Sequence, residues 1–137
     1  MILRLATEDD LSFLLRLRND KETREWSKTP KEITKTEHRE WWNKTTDRIF
    51  IAEVDGQPVG TARLVRHPHE LELGIVIAPE HRGKGYSTKM IQAATMEAWH
   101  PVVAYVRDTN ERSLRAFRKA GFKEEDLYRR FYFELPK

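Results

Sequence analysis

The chain of 137 residues contains no cysteine, which excludes a disulfide framework, a thiol nucleophile and a thiolate metal site. It has no apolar run near the roughly 20 residues that cross a bilayer. Its first residues, Met1 to Leu5, are interrupted by Arg4 too early for a secretory signal. The five histidines are scattered and lack acidic neighbours at ligand spacing, so no metal site is expected. A cytoplasmic protein without a membrane segment is the expectation.

Charge is present but is not concentrated in one place. The 25 basic and 22 acidic residues are mixed along the chain and leave a net charge of +3. Nucleic-acid binders usually concentrate Lys and Arg on one face, whereas acids interrupt the densest basic stretch here, 107–118. We therefore expect no nucleic-acid partner. The small basic excess favours an anionic ligand or substrate, with an ordinary solvated surface as the alternative.

Hydrophobic periodicity predicts a mixed α/β (α+β) fold, with one domain over residues 1–137 and no repeats or linkers. The hairpin signals around Asp55-Gly56 and His67-Pro68 predict an antiparallel middle to the sheet. The unit from 70 to 106 predicts a right-handed crossover between parallel strands. Residues 20–33 are expected to form a loop or short helical turn carrying Trp26. The predicted strands are 2–5, 48–54, 58–65, 70–77, 102–106 and 127–135, and the predicted helices are 7–19, 34–46, 83–99 and 110–120.

The most informative stretch is 75–87, where a strand ends, a glycine-rich turn follows and a helix begins. Backbone N–H groups at such a helix start have no internal acceptor and carry the positive end of the helix dipole, which suits a pyrophosphate. Gly83 and Gly85 let the backbone approach the anion, and Arg82 and Lys84 add charge. The spacing fits neither a Walker A loop nor a dinucleotide fingerprint. Taken alone, the stretch is also compatible with an ordinary helix start.

Two signatures resemble the GNAT (Gcn5-related N-acetyltransferase) family. Arg82-x-x-Gly85-x-Ser87 is similar to its coenzyme A loop, and Asn110-x-x-Ser113-x-x-x-Phe117-x-x-x-Gly121-Phe122 is similar to its downstream signature. The resemblance covers nearly the whole chain and implies the GNAT fold, with splayed parallel strands, and acetyl-CoA as cofactor. It implies pantetheine contacts with the backbone near Val76 and Ala78, and places Asn110 near the thioester. The implied cofactor-binding residues are Val76, Ala78, Arg82, Gly83, Lys84, Gly85, Tyr86, Ser87, Asn110, Ser113 and Phe117.

The resemblance implies direct acetyl transfer to a primary amine, which requires a base and an oxyanion donor. Glu72 is the first candidate base because it shares a strand face with Val76, whose N–H is the candidate oxyanion donor. Glu70 shares that face nearer the strand's start. His38 is the second candidate base or an acceptor ligand. The alternatives are a salt-bridged glutamate and a histidine on the helix surface.

The leaving thiolate has no obvious acid. The family often has a tyrosine where Phe117 stands, and phenylalanine has no proton to give. Water, Tyr86 or Tyr105 would have to serve instead, or the thiolate leaves unassisted.

The N-terminal third is similar to GNAT enzymes that acetylate nucleotide-linked amino sugars, of the type found in pseudaminic acid synthesis. The matching segments are Arg16-x-Arg18-Asn19-Asp20, Arg24-x-Trp26-Ser27 and Glu37-His38-x-x-Trp41. The resemblance implies that the acceptor is a 4-amino sugar. Arginine suits a diphosphate and tryptophan offers a flat face; Trp41 and Trp42 are expected in the core. The implied acceptor-binding residues are Arg18, Asn19, Arg24, Trp26, Ser27 and His38.

Several other functions share the cofactor signatures. They are an acetyltransferase for protein N-termini, a non-catalytic acyl-CoA-binding module, and an enzyme for other small amines such as polyamines or antibiotics. A nucleic-acid binder would show steeply salt-dependent affinity for DNA. The sequence leaves the exact acceptor, the acyl chain and a homodimer open.

Overall fold

The computed structural model describes residues 1–27, 29–125 and 130–133. Within them, seven strands form one sheet in the order β1-β2-β3-β4-β5-β7-β6, with helices packed against it. The strands are β1 (Ile2–Leu5), β2 (Arg48–Val54), β3 (Gln57–Arg66), β4 (Leu71–Ile77), β5 (Val102–Tyr105), β6 (Lys123–Glu125) and β7 (Arg130–Phe133). The helices are α1 (Leu11–Asn19), α2 (Lys21–Glu25), α3 (Lys35–Lys44), α4 (Tyr86–Met96) and α5 (Glu111–Lys119).

The predicted mixed sheet is confirmed, with differences at the ends of elements. Helix α4 begins at Tyr86 rather than 83 because Gly83 and Gly85 have φ of 79° and 77°, which a right-handed helix excludes. It also ends at Met96, before the predicted 99. The predicted strand 127–135 is observed as β7 over 130–133; positions 127–129 and 134–135 lie outside the described residues. Strand β6, which pairs with β7, was not predicted.

Two apolar clusters cover the two faces of the sheet. On one face, Leu71 and Leu73 of β4 lie in a cluster with Met90, Ile91 and Ala94 of α4. On the other face, Ile49 and Ile51 of β2 lie against α1 and α3, through Leu14, Trp41 and Trp42. Because α1 and α3 cover only part of that second face, they leave room beside them over β3 and β4.

Helix α3 begins with a capping box that fixes its rotation. The Glu37 N–H donates to Thr34 Oγ1 at 3.0 Å, and the Thr34 N–H donates to Glu37 Oε1 at 3.1 Å, so two otherwise unpaired donors are satisfied together. One turn later, His38 is turned inward and is 5% exposed. His38 and Trp41 lie on the same side of this helix, with their rings stacked.

Strands β4 and β5 are parallel, as predicted, but they separate almost at once. They pair only at Leu71 with Val102 and at Glu72 with Val103. The rest of β4, from Leu73 to Ile77, pairs only with β3, while β5 continues along β7. A wedge-shaped gap therefore opens in the middle of the sheet. Among the described residues, no helix is long and apolar enough to cross a membrane.

Candidate active site

A single cleft of about 780 Å³ runs from the gap between β4 and β5 to the inner sides of α1 and α3. One end is lined by the glycine-rich loop, the first turn of α4 and one side of α5. The other end lies between α1, the segment after α2, α3 and the exposed face of β3 and β4. We call these the loop end and the helix end of the cleft. The cleft thus joins a candidate cofactor site to a candidate acceptor site.

The loop end has the features of a site for an anionic, elongated ligand. At Gly83 and Gly85, an added Cβ would meet no atom within 4 Å, so both face open space. The N-cap of α4, Gly85, has no side chain to cap the helix, and the first N–H groups of a helix have no internal acceptors. Tyr86 and Ser87 line the cleft, whereas Lys84 is exposed and does not. The residues present therefore fit the pyrophosphate of coenzyme A.

Backbone groups along the gap differ in part from the expected contacts. The Leu71 N–H donates to Pro101 O at 2.8 Å, toward β5, so alternation along the strand directs the backbone groups of Ile75 and Ile77 into the gap. Val76 lines the cleft, but the same alternation turns its backbone toward β3. The Ala78 N–H donates to Val59 O at 2.8 Å, and its carbonyl accepts from the His81 N–H. Ile75 therefore replaces Val76 as the donor facing the gap, and both backbone groups of Ala78 are already engaged.

Helix α5 contributes part of the downstream signature to the cleft. Asn110 and Ser113 line it, and the Ser113 N–H donates to Asn110 Oδ1 at 3.3 Å as the cap of α5. Phe117 does not line it. This ring is 3% exposed, with its centroid 5.1 Å from that of Phe122 and 5.8 Å from that of Phe131. The structure thus places Phe117 in the core rather than at the cofactor site, because the inward side of α5 packs on the sheet.

Arg82 connects the loop end to α2. Its Nη1 donates to Glu22 at 2.7 Å, its Nη2 to Asp20 at 2.9 Å, and its Nε to the Ile77 carbonyl at 3.1 Å. Arg112 of α5 also pairs with Glu22, at 3.1 Å. The Arg82 guanidinium is therefore occupied within the protein, and its part in the loop is to hold α2 against it.

His38 lies at the helix end, buried against Trp41. Their ring centroids are 5.3 Å apart with an interplanar angle of 25°, and both residues line the cleft. Burial lowers the pKa of His38 below its ordinary value, and the nearby charge of Arg18 lowers it further. The lowered pKa favours the neutral imidazole, which is the form that can accept a proton.

Glu72 occupies a different place from the one expected. It shares its strand face with Val76, but its Oε1 lies 3.0 Å from His67 Nε2, and it does not line the cleft. It sits where β4 and β5 still pair, before the gap opens. Of the two candidate bases, His38 therefore lines the cleft and Glu72 does not.

The predicted acceptor residues divide into two groups. Arg18, Trp26 and Ser27 line the helix end. Asn19 and Arg24 do not line it. Asn19 instead exchanges two hydrogen bonds with the Ile33 backbone, at 2.8 and 2.9 Å, and Arg24 donates to the Asn19 carbonyl at 3.1 Å. Both hold the segment after α2 in place and thereby shape the cleft.

The lining of the helix end includes residues that the sequence reasoning missed, among them Arg63 of β3 and Trp41 of α3. Trp41 was expected in the core, and it is partly buried against the cluster of Leu14, Ile49 and Ile51. A usable signal was present for Arg63. Thr61 and Arg63 alternate with buried Ala62 and Leu64. One face of β3 is therefore polar and does not pack in the core.

The chain is similar to known acetyltransferases over nearly its full length. The family described as the acetyltransferase (GNAT) domain matches residues 1–123. A spermidine N(1)-acetyltransferase of Escherichia coli is 30% identical, and the match covers 95% of this chain and 77% of that protein.

Solved structures share the fold at lower identity. A Vibrio cholerae spermidine N-acetyltransferase in complex with CoA and spermine has a TM-score of 0.83 at 24% identity, covering 96% of this chain and 94% of that one. An aminoglycoside acetyltransferase in complex with coenzyme A also has a TM-score of 0.83, at 20% identity and with 96% and 92% covered.

Proposed function

This chain belongs to the GNAT family and is an acetyl-CoA-dependent N-acetyltransferase, and we propose that its acceptor is the primary amine of a nucleotide-linked amino sugar. The observation that carries the proposal is the single cleft joining the glycine-rich loop to the buried His38. One end suits an anionic cofactor, and the other is wide, aromatic and polar, as a bulky acceptor requires.

The residues that would hold the cofactor belong to three elements. Gly83 to Ser87 offer backbone donors and the start of α4 for the pyrophosphate, Ile75 offers an N–H in the gap, and Asn110 and Ser113 line the opposite wall. Bound acetyl-CoA supplies a thioester carbonyl carbon for attack by a neutral amine, with the coenzyme A thiolate as leaving group.

His38 is the proposed general base. A primary amine is mostly protonated near pH 7 and must lose a proton before it can attack. The neutral imidazole of His38 accepts that proton at a ring nitrogen, and burial against Trp41 keeps the ring in place. No residue is assigned as the acid: Phe117 lies in the core, and Tyr105 does not line the cleft. Tyr86 is the predicted hydroxyl that lines it.

A polyamine is the second candidate acceptor. The observation that favours it is the 30% identical relative named spermidine N(1)-acetyltransferase. The nucleotide-sugar proposal is supported instead by the similarity of the segments 16–20, 24–27 and 37–41, from which Arg18, Trp26, Ser27 and His38 reach the cleft. A homodimer and the single domain over residues 1–137 remain predictions.

Thiol release tests the proposal directly. Purified protein with acetyl-CoA is offered a UDP-linked 4-amino-4,6-dideoxyhexose, spermidine, or an N-terminal peptide, and free coenzyme A is measured over time. We expect the highest kcat/KM with the nucleotide sugar. A higher kcat/KM with spermidine would favour a polyamine as the acceptor. Activity on the peptide alone would show that the acceptor is a protein N-terminus. Saturable acetyl-CoA binding without release from any acceptor would contradict both candidate acceptors.

A further inference from the structure

One guanidinium at the helix end of the cleft is only partly satisfied. Arg18 donates from Nη2 to the Thr29 carbonyl at 2.8 Å. Its Nη1 is buried and has no hydrogen-bond partner in the described part of the chain, although buried polar atoms are nearly always paired. Arg18 also lines the cleft. A ligand bound in the cleft would therefore meet a guanidinium that the protein itself leaves partly unpaired.

A second guanidinium lines the same end. Arg63 enters from β3, with its Cζ 5.9 Å from the Trp41 ring centroid. Its ion pair with Asp47 is long, at 3.7 Å, and its side chain is 48% exposed. Burial lowers the pKa of Arg18, and the nearby charges of Arg63 and Arg24 lower it further. Two guanidinium groups that line the same end of the cleft favour an anion there.

The two carboxylates of the described residues that line the cleft, Glu22 and Glu37, both have partners within the protein. The Glu22 carboxylate accepts a hydrogen bond from Arg82 at 2.7 Å and forms an ion pair with Arg112 at 3.1 Å. The Glu37 carboxylate accepts a hydrogen bond from the Thr34 N–H in the capping box of α3. A free polyamine would bring two or more ammonium groups close to Arg18 and Arg63, whose positive charges repel them.

We propose that Arg18 and Arg63 form an anion subsite, so that the acceptor of this enzyme carries a phosphate or a carboxylate in addition to its amine. This inference rests on the proposed acetyl transfer and narrows its substrate class. The fork of each guanidinium suits two oxygens of such a group, and the subsite positions the amine beside His38. We therefore expect free polyamines to be poorer acceptors than amines that carry an anionic group.

Binding tests the subsite without requiring turnover. Calorimetry measures UDP and inorganic pyrophosphate against protein saturated with coenzyme A, which occupies the loop end. We expect saturable binding that weakens roughly tenfold or more in Arg18→Gln and in Arg63→Gln. Arg39→Gln is the matched control, since Arg39 pairs with Glu8 at the surface and does not line the cleft. Arg18→Lys keeps the positive charge but loses the two-pronged geometry of the guanidinium. An unchanged affinity for coenzyme A shows that each variant is folded.

Matched amines distinguish phosphate from carboxylate. Glucosamine 6-phosphate is compared with glucosamine, and lysine with cadaverine, by kcat/KM. We expect the anionic member of one pair to be preferred in the wild type, and the preference to disappear in Arg63→Gln. Equal UDP and pyrophosphate binding in wild type and both arginine variants, or a preference for cadaverine and spermidine untouched by the substitutions, would overturn the subsite. Thiol release from no amine at all would instead refute the proposed function, while the binding result still decides the subsite.

Discussion

Burial lowers the pKa of His38, the nearby charge of Arg18 lowers it further, and both favour the neutral imidazole. If it is the base, His38→Gln removes the proton acceptor while nearly keeping the volume, and kcat should fall roughly 10²- to 10⁴-fold. Glu72→Gln is the matched control, because Glu72 lies outside the cleft and bonds to His67. Steady-state kinetics with the preferred acceptor measures both. An equal loss of kcat in the two variants would show that His38 is not the general base.

The pH dependence of activity and stability follows from the same residue. Because the pKa of His38 lies below the ordinary value of about 6.5, the base should stay neutral, and activity should persist, somewhat below that pH. The unfolded chain binds the proton more readily than the folded one, so this group favours the folded state above about pH 6.5 and loses that contribution as pH falls through its folded pKa. Chemical denaturation of His38→Gln should therefore show a shallower acid loss than the wild type.

At the scale of single residues, the sequence predicted which residue types matter better than where they point. A glycine-rich turn at Gly83 and Gly85 was predicted from the sequence, but the helix was started at 83, and the positive φ of both glycines places its start at Tyr86. The position of Glu72 was not predictable, because its partner His67 comes from the neighbouring turn, and a strand period says nothing about that contact. Val76 illustrates the same limit: period 2 gives the side-chain face, whereas the backbone direction depends on which neighbour each strand pairs with.

At the scale of elements, β3 and β4 come unusually close at one glycine. A Cβ on Gly60 would lie 2.4 Å from the Val76 carbonyl oxygen, whereas one on Gly74 would meet nothing within 4 Å. Gly60→Ala should therefore lower stability by about 1–3 kcal/mol through forced separation of the strands, and Gly74→Ala should leave it nearly unchanged. Thermal and denaturant unfolding measure the difference. A Gly60→Ala protein as stable as Gly74→Ala would show that the strands move apart freely.

The short helix α2 depends on Arg82 for its position. Arg82→Ala removes the bonds to Asp20 and Glu22, so the segment carrying Trp26 and Ser27 should loosen. We expect kcat/KM for the acceptor to fall by an order of magnitude or more, because misplaced binding residues cost orientation. Arg16→Ala is the control, since its pair with Glu80 is exposed on both sides. Loss confined to coenzyme A affinity would show that Arg82 serves the loop alone.

Element boundaries were predictable where local chemistry marks them. The Asp55-Gly56 turn joins β2 to β3 as predicted, with φ of 52° and 75°, and the Thr34 cap sets the start of α3. Strand β6, 123–125, has the composition Lys-Glu-Glu, which carries no β signal of its own. It is a strand only because β7 lies beside it. The separation of β4 from β5 likewise could not be predicted from the sequence pattern of either strand.

At the scale of the whole molecule, the gap separates β1–β4 from β5–β7 over most of the length of β4. A cofactor in that gap binds the folded state alone, so it should stabilise the protein by about 2.7 kcal/mol when its concentration is 100 times its dissociation constant. Thermal unfolding with and without coenzyme A measures this. Adenosine, which has no pyrophosphate or pantetheine arm, is the control ligand. Coenzyme A that produced no increase in melting temperature would contradict a site in the gap.

The separation of β4 from β5 should also affect the rates at which the amide protons of β4 exchange with solvent. Along β4, the amide protons of Gly74 and Val76 lie in the ladder with β3, while the one of Ile75 faces the opening. In the free protein, alternate amides of one strand should therefore exchange with solvent deuterium at very different rates, although all belong to the same central strand. Filling the gap should slow Ile75 selectively. On the side of the gap, β4 thus behaves as an edge strand although it lies in the centre of the sheet. A ligand in the gap would take the place of the neighbouring strand there.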